Sequence, residues 1–292
     1  MENKKIVFFG GEPLGIPALE ALAAAGIIPQ LIVCSPDRPA GRGLRLVPPA
    51  VKQWAQTQNI EVFQPENYQD ESAKQKLFAT EWDLFVVVAY NFILPKWLLE
   101  LPKKGCLNVH PSLLPALRGP SPIRTAILQN QPEAVGVTVM LLDEKMDTGP
   151  ILQQQAYQPK VWPISGPILD GELAAQGGKL LAQVTPAWLA GEIEPKSQNH
   201  ELATYTKMFK KGANELHISP LALPSGAEAF SLLCKIKAWE GIGDTFFVHN
   251  DKRIKIKAAG LSADSSLELY RVVPEGKAEM DFNSYLQSLA AP

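Results

Sequence analysis

Short apolar runs alternate with amphipathic stretches through the first 110 residues. "KIVFFGG" reads as a buried strand stopped by glycine, and "PALEALAAAG" as the helix after it, rich in strong helix formers and closed by Gly26. "IPQLIVCS" is a second strand, "PAVKQWAQTQN" a helix opened by proline, and "IEVFQP" a short strand. "DESAKQKLFATE" carries acids in its first turn, where the helix dipole favours them. "WDLFVVVAYN" is apolar on both faces, which predicts a central strand. "PKWLLELPKKG" is a short helix and "GCLNVHPS" a fifth strand. This order predicts a mostly parallel sheet wrapped by helices, with ligands bound beyond the carboxyl ends of the strands.

After a helix in "SPIRTAILQNQ" the pattern changes. "AVGVTVMLLDEKMDTGPILQQQAYQP" holds two strand-like runs around an acidic bend, and "GELAAQGGKLLAQVTPAWLAGE" is a further helix. "IEPKSQNHELATYTK" is polar and reads as a linker. Beyond it, "DTFFVHNDKRIKIKAAGL" alternates like two paired strands and "SSLELYRVV" like a third, which predicts a smaller β-rich domain. The expected division is a catalytic domain over 1–194, a linker over 195–204 and a second domain over 205–292.

Composition narrows the class. The 292 residues are 46% hydrophobic and 20% charged, as in a globular protein with a substantial core. No apolar run reaches the roughly 18–20 residues of a membrane span, and the start lacks the apolar region of a signal peptide. Three distant cysteines fit neither a disulfide framework nor a metal site, and four histidines make a metal centre unexpected. A reducing, cytoplasmic setting follows. The net charge is −2, and the second domain, with 11 basic and 10 acidic residues, is not strongly basic. One basic segment stands out: "SPDRPAGRGLRLVPP", residues 35–49, has three arginines, four prolines and a single acid. It has no room for a long helix or strand, and also reads as a solvated crossover.

Candidate chemistry lies in two places. Asn108 and His110 are two apart on a strand, so they share a face where that strand ends. An amide and an imidazole there can grip a carbonyl oxygen as charge develops on it. A turn asparagine beside a structural histidine fits the same spacing. In "DEKMDTGP", Asp147 precedes a Thr-Gly turn signal. A carboxylate beside His110 would orient the ring and favour the imidazolium; a solvated hairpin tip is the other reading. "FFGGEPLG" lacks the full spacing of a dinucleotide turn and reads as a tight strand-to-helix connection.

"NVHPSLLP", "LRGPSPIRTAI" and "GVTVMLLDEKMDTGPIL" together resemble the signature of the formyltransferases that use 10-formyltetrahydrofolate. The resemblance runs almost without gaps from about Ile6 to Gly191, and the loop "PDRPAGRG" is similar to that of the branch acting on methionyl initiator tRNA. It implies a Rossmann-like α/β domain followed by an OB-like β-barrel, a monomer, and formylation for translation initiation. It implies Asn108, His110 and Asp147 as the catalytic trio, with Asn108 and a protonated His110 stabilising the oxyanion and no metal required. A folate pocket would be lined by Phe92, Ile93 and Leu94, by Ser112, Leu113, Leu114 and Pro115, and by Leu142 and Asp143. Arg38, Arg42 and Arg45 would contact tRNA. This chain departs from the pattern at Pro111, Asn91 and Leu44, and in "AWEGIGDT" of the second domain. The other readings are a sister enzyme acting on glycinamide ribonucleotide, an amino sugar nucleotide or water, and a non-catalytic RNA-binding protein on the same fold.

Overall fold

The computed structural model describes residues 4–40, 45–210 and 212–290. The chain divides into two compact units, one of Met1–Gly119, Gly136–Tyr157 and Gly171–Tyr205, the other of Pro120–Val135, Gln158–Asp170 and Thr206–Pro292.

The first unit is built on a seven-stranded sheet. Its strands are β1 (Ile6–Phe9), β2 (Leu31–Val33), β5 (Glu61–Phe63), β6 (Leu84–Val87), β7 (Cys106–His110), β8 (Gly136–Leu141) and β9 (Ile151–Ala156). Their order is β5-β2-β1-β6-β7-β8-β9, parallel up to β7 and antiparallel from β7 to β9. The helices α1 (Ile16–Ala24), α2 (Ala50–Thr57), α3 (Glu71–Phe78) and α4 (Lys96–Leu99) join the parallel strands. Every residue of β1 and β6 is buried, which is why these runs show no alternation. Val7, Phe9, Phe85, Val87, Leu77 and Leu98 share one core cluster.

The strand order turns back between β1 and β6, the position where open α/β sheets bind ligands. The glycine-rich stretch after β1 is a tight connection, as its spacing implies: the Gly10 N–H donates to Val33 and that of Gly11 to Ala89. Helix α6 (Gly166–Ala190) lies in this unit from Gly171 onward. A Cβ at Gly177 would stand 2.7 Å from the Val109 side chain, and one at Gly178 2.5 Å from the Pro17 carbonyl. The Gly-Gly pair is what lets α6 lie this close to β7 and the start of α1.

Two expectations change here. Residues 38–47 are not irregular throughout: β3 (Arg38–Ala40) and β4 (Arg45–Val47) pair in an antiparallel ribbon. Both strands of a two-stranded ribbon are edges, so Pro39, which lacks an N–H, is tolerated. The stretch 195–204 is not a loose linker. Lys196 and Ile151 exchange two backbone hydrogen bonds of 2.8 Å, and Gln198 is buried.

The second unit carries the expected antiparallel sheet: β10 (Phe246–His249), β11 (Lys252–Leu261), β12 (Leu267–Pro274) and β13 (Met280–Asp281), in that order. Among the described residues β10 and β13 do not pair, and the four strands form one antiparallel sheet, the β-rich second domain that the resemblance implied. It packs with α7 (Gly226–Trp239) and α8 (Phe282–Ala290) around Leu233, Ile236, Phe247, Ile256, Val272 and Phe282. Helix α5 (Pro122–Leu128) and residues 158–170, expected within the domain 1–194, belong to this unit. Arg124 of α5 is the reason in part. Its buried guanidinium donates to the carbonyls of Ala238 and Glu240 and pairs with Asp170.

Candidate active site

Strand β7 lies between β6 and β8, with Asn108 in register with Val87 and Met140, and His110 with Thr138. His110 is 5% exposed. Its Nε2 lies 3.0 Å from the Leu117 carbonyl, and its Nδ1 lies 3.7 Å from Asp147 Oδ1. Both ring nitrogens therefore face oxygen acceptors. Asn108 is half-buried, and its amide makes no side-chain hydrogen bond among the described residues. The amide is thus available to a ligand.

The bend between β8 and β9 brings Asp147 to this ring. Asp143 organises it, accepting bonds from the Thr148 hydroxyl (2.7 and 2.8 Å) and the Lys145 N–H (3.1 Å). The Leu141 N–H closes it onto the Pro150 carbonyl at 2.9 Å. Gly149 is required by close approach, since a Cβ there would stand 1.9 Å from the Leu141 oxygen. Asp147 has a φ of +55°, and its Oδ2 accepts a 2.7 Å bond from the Gly119 N–H. Leu117 (φ +61°) and Ala89 (φ +48°) also occupy the left-handed region. Backbone conformations unfavourable for side-chain-bearing residues gather at functional sites.

The expected folate-lining residues divide into two groups. Leu94, Phe92 and Leu142 pack on the same core cluster, Ile93 is 88% exposed, and Asp143 is exposed. The Lys96–Glu144 ion pair, at 2.7 Å, ties the start of α4 to the bend. Asn91, one of the departures from the family pattern, donates to Glu12 at 2.7 Å and links the turn after β6 to the turn after β1. The stretch 112–115 follows His110 and Pro111 and is held against Thr138, the residue in register with His110. Thr138 donates to the Ser112 carbonyl and accepts from the Leu114 N–H, while Gln154 donates to the Leu114 carbonyl. Thr138 and Leu142 are four positions apart, or about 13 Å along extended backbone. Ser112 and Leu114 are buried within these bonds and shape their loop; Leu113 and Pro115 are half-buried.

Arg38 and Arg45 sit exposed on the β3–β4 ribbon, whereas Arg42 and Leu44 lie outside the described residues. The base of the ribbon is anchored. Lys52 Nζ donates to both Asp37 carboxylate oxygens at 2.9 Å, and Gln64 donates to Asp37 and to the Ser35 carbonyl at 2.8 Å. The hydrogen bond from Lys52, followed by that from Gln64, holds the Asp37 carboxyl below its ordinary range.

Three residues to which the sequence alone assigns no role complete the arrangement: Arg118, Gln198 and Gly119. Gln198 Nε2 donates to the carbonyls of Asp147 (2.9 Å) and Gly149 (2.7 Å), and Arg118 donates to Gln198 Oε1. Nothing in "LRGPSP" marks its arginine as the largest fully buried side chain of the molecule. A charged residue before a Gly-Pro turn reads as surface. Among the described residues no cluster of three His, Cys, Asp or Glu could hold a metal, and no helix is long and apolar enough to cross a membrane.

An amide, an imidazole and a carboxylate converging at a strand end suit acyl transfer. Known proteins agree. The family described as formyl transferase matches residues 4–161. A methionyl-tRNA formyltransferase of Chloroflexus aurantiacus is 42% identical over 264 residues, covering 90% of this chain and 82% of that protein. One from Herpetosiphon aurantiacus is 36% identical over 304 residues and covers 96% of each. The N-formyltransferase of Helicobacter canadensis, solved with folinic acid and dTDP-3-aminofucose, superposes with a TM-score of 0.62 at 15% identity, over 91% of this chain and 98% of that one. At that identity the last likeness concerns the fold. The strand order, the β8–β9 bend and a family match across more than half of the residues lead to one conclusion: this chain belongs to the formyl transferase family.

Proposed function

We propose that this protein transfers the formyl group of 10-formyltetrahydrofolate to the α-amino group of methionyl initiator tRNA. The observation that carries this reading is the 36% identity to the Herpetosiphon aurantiacus methionyl-tRNA formyltransferase over 96% of both chains, second unit included. The exposed, anchored ribbon supports a nucleic-acid acceptor, since Arg38 and Arg45 form no ion pair among the described residues and can reach phosphates. In this reading Arg42 joins them, the second unit contacts the tRNA, and the enzyme works as a cytoplasmic monomer.

The site fits a folate donor. Exposed apolar side chains, Ile93 and Met146, flank it beside Phe92 and Leu142, and the Asn108 amide has donors to spare. The amine attacks the formyl carbon, a C–N bond forms, and negative charge collects on the formyl oxygen. Asn108 donates to that oxygen. His110 reaches it by exchanging its bond to the Leu117 carbonyl for one to the oxyanion, while Asp147 stays against Nδ1. The bond to the folate nitrogen then breaks, and the proton released by the amine goes to that nitrogen.

The test is incubation with labelled 10-formyltetrahydrofolate and separate acceptors: methionyl initiator tRNA, glycinamide ribonucleotide, a nucleotide-linked amino sugar and water. Label on the methionyl ester is expected. Label on the sugar or the ribonucleotide alone, or release of formate alone, overturns the assignment.

A further inference from the structure

We propose that Arg118 is a positioning residue for the His110–Asp147 pair, acting through Gln198. Arg118 is 1% exposed. Its Nε and Nη2 both donate to Gln198 Oε1, at 3.1 and 2.6 Å. Nη2 also reaches His200 Nδ1 at 2.9 Å, Nη1 reaches the Tyr205 hydroxyl at 3.2 Å, and the guanidinium stands 5.9 Å from the Tyr205 ring centroid. No carboxylate pairs with this cation among the described residues. A buried charge satisfied only by neutral groups is costly to keep, and a spacer could be apolar.

What the charge does is fix an amide. With two donors on Oε1, the Gln198 side chain has one orientation, and its NH2 must face the other way. There it donates to the carbonyls of Asp147 and Gly149, at 2.9 and 2.7 Å, and holds the bend by its backbone.

The main chain around Arg118 completes the device. The Leu117 carbonyl takes His110 Nε2 at 3.0 Å, and the Gly119 N–H holds Asp147 Oδ2 at 2.7 Å. The Arg118 N–H is itself tied to the Thr204 carbonyl at 2.9 Å. Three consecutive residues therefore set the ring, the carboxylate and, through Gln198, the backbone that carries the carboxylate. Only a planar fork supplies this many donors from one position, so lysine cannot replace it.

Gln198→Glu separates positioning from packing. The carboxylate keeps the pairing with Arg118 and adds an ion pair, but it cannot donate to the two carbonyls. We expect kcat for formyl transfer to fall about 10-fold or more at a temperature where the variant is folded, with KM for the formyl donor within twofold. Joined to Asp147→Asn, it should lower kcat by less than twofold further, because both act on one element. Arg118→Lys should reproduce the kcat loss. A kcat within twofold of wild type in Gln198→Glu, or losses that multiply with Asp147→Asn, overturns the proposal.

The kinetic readouts rest on the formyl-transfer reading, so the ring of His110 supplies a second one that needs no activity. Its imidazole 1H–15N signals should move in both Gln198→Glu and Arg118→Lys relative to the folded wild type. Unchanged signals would overturn the proposal even if the reading of the reaction were wrong; moved signals in a protein that transfers no formyl group would support the proposal and reject that reading.

Discussion

Replacing Gly149 by alanine tests whether the bend, rather than the mere presence of an acid, sets the site. The added Cβ would lie 1.9 Å from the Leu141 carbonyl oxygen, where such contacts are essentially never closer than 3.0 Å. The two arms of the bend must therefore part by about 1.1 Å, and neither contact atom is the end of a flexible side chain. Asp147 is two residues away, and its carboxylate is held at 2.7 Å from the Gly119 N–H and 3.7 Å from His110. A shift of about 1 Å in a catalytic group costs on the order of 10²-fold in rate, or about 2.7 kcal/mol of transition-state stabilisation. The assay is steady-state formylation of methionyl initiator tRNA, with the thermal midpoint measured alongside. Gly149→Ala should lose about 10²-fold in kcat. Gly171→Ala in α6, where no atom lies within 4 Å of the new Cβ, is the control and should be neutral or slightly stabilising. A Gly149→Ala enzyme within threefold of wild type would mean that the close approach at Gly149 does not set the position of Asp147.

Asn108→Ala should lower kcat by about 10²–10³-fold and leave the melting temperature nearly unchanged, since the amide supports no internal hydrogen bond among the described residues; equal losses of stability and rate would assign it to the fold instead. The lowered Asp37 carboxyl makes the ribbon's anchor pH-dependent in a defined direction. Its contribution is present above the ordinary carboxylate value near 3.9 and is lost as pH falls through the lower folded value. Limited proteolysis of the 38–47 segment should therefore stay constant from pH 8 to 5, whereas Lys52→Met should raise it throughout that range. Burial pushes the thiols of Cys34 and Cys106 up to about 12 and that of Cys234 up to about 11. None should react with a thiol reagent at pH 8 in the folded protein, and all three should react in guanidinium.

The parallel half of the sheet is readable from sequence because β1 and β6, buried on both faces, carry unbroken apolar runs, and because the intervening helices are made of helix formers. Asn108 and His110 share a face by strand periodicity alone. Their meeting with Asp147 does not follow from spacing. It is set by the pairing of β7 with β8 and by a bend that needs Gly149 at van der Waals contact. The β3–β4 ribbon is hidden because prolines suppress the usual strand signal. Helix α7 is missing from the sequence expectations although its pattern is there: Ala229, Leu233 and Ile236 are buried, while Glu228, Ser231 and Lys235 recur at helical spacing on the more exposed side. Arg118 and Gln198 are least readable of all, since polar residues satisfied by other polar residues in the interior have no local signature.

The most direct test of the account is single-turnover transfer of labelled formyl from 10-formyltetrahydrofolate to methionyl initiator tRNA, by wild type and by His110→Ala, with tRNA affinity measured on both. Formyl-methionyl-tRNA is expected from the wild type, and a loss of about 10²-fold or more in the variant at nearly the same affinity. Absence of transfer by the wild type, or a variant within threefold of it, would contradict the account.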